Sequence, residues 1–326
     1  MPVPADTVFA AIADRRAERR RFLRYAGGAA AAGGALSLLA ACGNDGTSTP
    51  TPSPTATPTP STAADFDVLN FALNLEYLEA QFYSWAAFGQ ALSAGLTTGV
   101  GTAGTVTGGA QVPFSDPLVA QYAREIALDE IQHVTFLKTV LGSAAVAMPA
   151  INIAGDATGA FTAAARAAGV VGSTAVFNPY ADDISFLLGA FLFEDVGVSA
   201  YKGASPLLTN RTYIEAAAGI LATESYHAGL IRSVLYRKGV DATGIFTQAR
   251  QISDARDSLD GTSDIDQGIG DATTANIVPT DTNGLAYSRS SGQVLNVVYL
   301  NKAAVASGGF FPSGINGNIR TSAASG

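Results

Sequence analysis

Two short patterns constrain this chain more than anything else in it: Glu130-Ile131-Gln132-His133 and Glu224-Ser225-Tyr226-His227. A three-residue spacing puts both side chains of a pair on one helix face, one turn apart. The chain holds two histidines and eight glutamates, and each histidine has a glutamate three residues before it. A carboxylate beside an imidazole is a metal half-site. Two half-sites demand a fold that brings two helices face to face.

The rest of the chain supplies that fold. Residues 65–88 predict a first helix, almost continuously apolar through Leu69, Phe71, Leu73, Leu75, Leu78, Phe82 and Trp85, and ended by Gly89. Glu76 and Glu79 interrupt it, and a carboxylate among such neighbours is costly unless it is paired or bound to metal. Residues 89–115, rich in Gly and Thr, predict an irregular loop or small hairpin. Asp116-Pro117 opens a second helix as N-cap and first helical residue, and Gly142 stops it after Leu141. A connection over 143–181 follows, with one short helix at 160–168; its length lets the second and third helices run parallel. The third helix, about 182–202, is apolar nearly all round and carries Glu194, so it is the most buried. The fourth, about 212–238, carries Glu224 and His227.

Four helices thus bear, in order, Glu; Glu-x-x-His; Glu; Glu-x-x-His. That order matches the di-iron or di-manganese carboxylate site of helical bundles. Two hard divalent ions need about four carboxylates to balance their charge, with one imidazole each. The candidate ligands are Glu130, His133, Glu194, Glu224, His227 and one of Glu76 or Glu79. Asp129 and Asp195 adjoin candidate ligands but sit about 100° round their helices. Glu125 points elsewhere and reads as solvated.

The segments Leu69-Asn70-Phe71-Ala72-Leu73-Asn74-Leu75-Glu76-Tyr77-Leu78-Glu79, Asp129-Glu130-Ile131-Gln132-His133, Glu194-Asp195-Val196-Gly197-Val198 and Glu224-Ser225-Tyr226-His227 resemble the ferritin-like domain of bacterial ferritin-like lipoproteins and plant desiccation-related proteins. The resemblance implies an all-α, ferritin-like four-helix bundle with one long crossover over 65–239. It implies two divalent ions, iron or manganese, and redox chemistry on peroxide, oxygen or ferrous iron, as in related ferroxidases, rubrerythrin-like peroxidases and manganese catalases. The alternative is a non-catalytic envelope or desiccation-protective protein whose metal site is structural or lost. In ferritin and rubrerythrin patterns the first-helix ligand precedes a tyrosine by seven residues, which favours Glu76, ahead of Tyr83; Glu194 and Tyr201 repeat that spacing. Glu79, Tyr83 and Tyr201 are then candidates to support the ligands from behind. An oligomer is compatible with this reading.

The two ends differ from the bundle. Arg19, Arg20 and Arg21 precede a weakly apolar run that ends at Leu39-Ala40-Ala41-Cys42. This order resembles a twin-arginine lipoprotein signal over 1–42, with the lone cysteine, Cys42, as the lipidation site and the membrane as partner through that anchor. The expected location is the periplasm or cell surface. Residues 43–64 are Thr/Pro-rich and read as a tether. The net charge of −8 excludes the basic footprint of a nucleic-acid binder; the expected partner is a small oxidant or a metal substrate. Residues 240–326 lack Glu and His and read as an irregular extension packed on the bundle. Their cluster Asp254, Asp257, Asp260, Asp264 and Asp266 misses the spacing of a calcium loop and reads as surface turns and helix caps. Residues 294–300 predict one more short helix or strand, and Gly308-Gly309-Phe310-Phe311-Pro312 a turn that tucks aromatics onto the body.

Overall fold

A computed structural model describes residues 62–325. The signal and tether residues 1–61, with Arg19, Arg20 and Cys42, lie outside the described residues. In chain order the elements are α1 (Thr62–Phe88), α2 (Ala94–Thr97), β1 (Val106–Gly108), α3 (Pro117–Leu141), β2 (Ile151–Ile153), α4 (Ala160–Ala167), α5 (Asp183–Ala204), α6 (Arg211–Asp241), α7 (Gly244–Asp260) and α8 (Ser291–Tyr299).

The long helices begin where capping chemistry allows. Asp116 accepts a hydrogen bond from the Leu118 N–H at 2.9 Å with Pro117 behind it, Asp182 accepts from Ser185, and Asn210 from Thr212. Each satisfies an orphan donor of the first turn. At the far end of α3, Gly142 takes φ 55° and its N–H returns to the Lys138 carbonyl, a conformation that costs glycine little.

Contacts at the helix ends give the directions. Asn70 on α1 bonds to Ala144 and Val146 just past the end of α3, while Ala86 accepts from Val112 just before its start. The two helices therefore run antiparallel. The pairs Tyr83 with Glu194 and Glu76 with Tyr201 make α1 and α5 antiparallel as well. Thus α3 and α5 run parallel, and the connection over 142–182 is the single long crossover. Part of it is pinned by a parallel ladder in which Val106 faces Ile151 and Gly108 faces Ile153. The loop before α3 is thus neither shapeless nor a hairpin, because its strand pairs with the crossover instead of with itself.

The C-terminal extension departs most from the sequence expectation. It holds a 17-residue helix, α7, where an irregular segment was expected. Gly, Asp and Ser hide that helix by propensity, but Ile245, Ala249, Ile252 and Arg256 recur on one buried face. The aspartate cluster also divides. Asp254 and Asp264 are exposed and Asp257 caps the turn at Ile265 and Asp266, whereas Asp260 and Asp266 are buried. Their partners are two of the fully buried arginines. Arg289 donates to Asp260 at 2.7 Å and to Asp266, and Arg256 donates to Asp266 at 2.7 Å and to Asp195 at 2.8 Å. Arg232 on α6 completes the group through Asp195 at 2.8 Å and the carbonyls of Gly268 and Asn276. Phe310 is fully buried, 4.9 Å from the Phe193 ring and 5.1 Å from Phe161.

Candidate metal centre

All four long helices are needed to assemble the site. Glu76 comes from α1, Glu130 and His133 from α3, Glu194 from α5, and Glu224 and His227 from α6. Each Glu-x-x-His turn presents its two side chains inward, and the antiparallel crossing of α3 and α6 brings His133 to Glu224 and His227 to Glu130. All six side chains are buried, the carboxylates at 0–1 % exposure.

Their donor atoms form two groups that are each suited to a metal ion: Glu76, Glu130, His133 and Glu224, and Glu130, Glu194 and His227. His133 Nδ1 stands 3.1 Å from Glu76 Oε2 and 3.5 Å from both Glu130 Oε2 and Glu224 Oε1. His227 Nδ1 stands 3.1 Å from Glu130 Oε1 and 3.7 Å from Glu194 Oε2. Glu130 therefore offers one oxygen to each group. Both its oxygens, both of Glu224, Glu194 Oε2 and both ring nitrogens of His227 are buried without a hydrogen bond. Buried polar atoms are nearly always satisfied, so lone pairs converging without donors fit a cation.

Electrostatics say the same. Burial pushes the Glu76 carboxyl up to about 8, against the pull of His133. Burial and the neighbouring carboxylates raise Glu79, Glu194 and Glu224 too. Glu130 goes the other way, because the imidazoles of His133 and His227 outweigh its burial. Those imidazoles in turn are raised, their flanking carboxylates overcoming the cost of burying a cation. A divalent ion relieves this crowding by replacing protons.

Two tyrosines brace the carboxylates across the bundle. The Tyr83 hydroxyl of α1 donates to Glu194 Oε1 on α5, and the Tyr201 hydroxyl of α5 donates to Glu76 Oε1 on α1. Burial first, and then the adjacent carboxylates, hold both phenols well above their ordinary range, so they remain donors. Glu79 is buried one turn beyond Glu76 but belongs to neither group of donor atoms. Asp129 comes nearer than its helical angle suggested, with Oδ2 3.5 Å from His227 Nε2, whereas Asp195 faces Arg232 and Arg256. Glu125 is exposed.

One position escaped the sequence expectation. A Cβ at Gly197 would lie 2.4 Å from Glu224 Oε2 and 3.4 Å from Glu79 Oε1. Gly197 is thus the gap into which those carboxylates fit. The available signal was a glycine inside a buried helix, which costs about 1 kcal/mol and calls for a packing reason.

A model of the ferritin-like domain matches residues 64–237, which take in nearly all of the four bundle helices and every residue of both donor groups. The chain belongs to the ferritin-like domain family. Among curated relatives of this ferritin-like protein is the "Ferritin-like catalase Nec2" of Nesocodon mauritianus, 31% identical over 269 residues, 78% of this chain and 85% of the relative. Another is the "Desiccation-related protein PCC13-62" of Craterostigma plantagineum, 28% identical over 245 residues, 71% of this chain and 76% of the relative. Both alignments are longer than the 64–237 match. No solved structure matches the chain significantly.

Proposed function

We propose that this ferritin-like protein is an exported di-metal oxidoreductase that consumes peroxide. The observation that carries the reading is Glu130, one carboxylate shared between two buried histidine-bearing groups. In this reading Glu76, Glu130, His133 and Glu224 hold one ion and Glu130, Glu194 and His227 the other, both iron or both manganese. The ions supply the redox chemistry when bound. The chain's own residues do the rest. Tyr83 and Tyr201 fix one oxygen each of Glu194 and Glu76, which leaves the second oxygen aimed inward. The apolar bundle excludes bulk water, which strengthens every charge interaction at the site. The second group, Glu130, Glu194 and His227, would hold its ion with one protein residue fewer than the first.

The relative named as a catalase favours peroxide over ferrous iron. The desiccation-related relative favours a second reading, a protective protein in which metal only braces the bundle. Oxygen evolution from hydrogen peroxide, measured on the full chain loaded with iron or manganese, separates the two. Turnover with two ions per chain is expected. A fully loaded protein without turnover overturns the enzymatic reading in favour of the protective one.

Export and anchoring belong to the same proposal. Arg19→Lys with Arg20→Lys traps the precursor inside the cell, and Cys42→Ser abolishes lipid labelling. Unchanged export and labelling in those variants removes the lipoprotein reading.

A further inference from the structure

Glu79 is a fifth carboxylate beside the metal-site residues, and the site just described does not use it. It is 6% exposed, and among the described residues no side chain or backbone N–H donates to it. A buried carboxyl without a donor points to a missing small partner. Glu79 also lines a cavity of about 20 Å³ together with Phe193, Gly197, Val297, Val298 and Phe310. About 10–15 Å³ of such volume holds one water; the walls are apolar apart from the Glu79 carboxyl, so an occupant is held at that carboxyl. This cavity therefore suits a molecule of one or two heavy atoms. Through Gly197 it abuts the candidate centre, since Glu79 Oε1 and Glu224 Oε2 flank the same absent Cβ.

Three of the walls, Val297, Val298 and Phe310, come from the C-terminal extension, beyond the 64–237 ferritin-like match. The bundle provides the carboxylate, and the extension provides the roof.

We propose that this cavity is a holding site for hydrogen peroxide, with the Glu79 carboxyl hydrogen-bonded to it and the extension limiting its size. The proposal rests on the peroxide-consuming reading. Of the small oxidants that fit two heavy atoms, dioxygen has no O–H and is a poor hydrogen-bond acceptor, while peroxide both donates and accepts, so it pairs with the Glu79 carboxyl whether or not that group carries a proton. Alkyl hydroperoxides exceed the space. Glu79 is a substrate-positioning residue here, and no proton or electron transfer is assigned to it.

The test uses the full chain loaded with zinc, which binds carboxylate and imidazole but does no redox chemistry. Crystals soaked in hydrogen peroxide are expected to show a two-atom occupant within hydrogen-bond distance of Glu79, and Glu79→Leu crystals none. With the iron- or manganese-loaded protein, Glu79→Leu raises KM for peroxide about tenfold, the scale of one lost hydrogen bond, with kcat changed far less. Val298→Ala widens the roof and raises the ratio of ethyl hydroperoxide to hydrogen peroxide turnover. A dry cavity in the parent crystals overturns the proposal, as does an unchanged size preference in Val298→Ala. A parent that binds peroxide at Glu79 but shows no turnover keeps the holding site and removes the enzymatic reading instead.

Discussion

At the residue scale the centre depends unequally on its six candidate ligands. Glu130 serves both groups, while Glu194 and His227 serve one and Glu76, His133 and Glu224 the other. Glu130→Ala is therefore expected to bring metal content from two ions to below one, whereas Glu194→Ala retains the ion beside His133. Glu125→Gln, on the exposed face, keeps the parent stoichiometry. Elemental analysis of the three purified variants checks this, and equal loss in the first two would remove the shared-ligand role of Glu130. The tyrosines give a subtler case. Tyr201→Phe deletes the hydroxyl donated to Glu76 Oε1 and conserves the ring. Outer hydrogen bonds of this kind carry about 10–100-fold in metal affinity. A metal titration of Tyr201→Phe should show that loss with an unchanged far-ultraviolet circular dichroism spectrum; parent affinity would show that the hydroxyl merely satisfies itself.

At the element scale the extension is fastened to the helices that carry ligands. Asp195, next to Glu194, receives Arg232 of α6 and Arg256 of α7, and Arg289 reaches Ser199 on α5 at 2.7 Å. Removing one partner of a buried pair leaves an uncompensated charge and costs about 3–5 kcal/mol. Arg289→Leu strands Asp260 and leaves Asp266 to Arg256 alone, so urea unfolding should show a loss of that size. A change below about 1 kcal/mol would mean that solvent reaches the network. This is also where sequence and structure part company. The four bundle helices were legible because local signals agreed: Asp116-Pro117 and Gly142 bound α3, and apolar runs with isolated glutamates mark α1 and α5. The ligand set was legible because two histidines leave few arrangements. The partners of Asp260 and Asp266 were not, since they lie on Arg256 and Arg289, and the distant pairing between Arg289 and Ser199 has no local signature. Nor could a parallel ladder between 106–108 and 151–153 be read from either strand alone.

At the scale of the whole molecule, proton and metal compete for one cluster, which ties stability to pH. Without metal, Glu76 is raised from 4.5 to about 8, chiefly by burial, and Glu194 and Glu224 shift the same way. A carboxyl raised by folding stabilises the fold while protonated, and that contribution is lost as pH rises from its unfolded value through its folded one. The raised imidazoles of His133 and His227 act with the same sign: their contribution is complete below 6.5 and disappears above it. Glu130 alone acts oppositely, weakening the fold only as pH falls below 4.5. The metal-free protein should therefore lose stability steadily between about pH 5 and pH 8. Bound metal replaces those protons and stabilises the folded state alone. The rise in Tm on adding metal should consequently be larger at pH 8 than at pH 5.5, and metal uptake at pH 7 should release protons into a weakly buffered solution. Asp257 in the extension, raised to about 6 by burial and Asp266, titrates alike with and without metal, so it cancels from the difference. Calorimetric scans of both forms at the two pH values measure it directly. A metal-induced rise in Tm that does not vary with pH, together with no proton release, would mean that the six residues do not bind the ion through the groups that burial has neutralised.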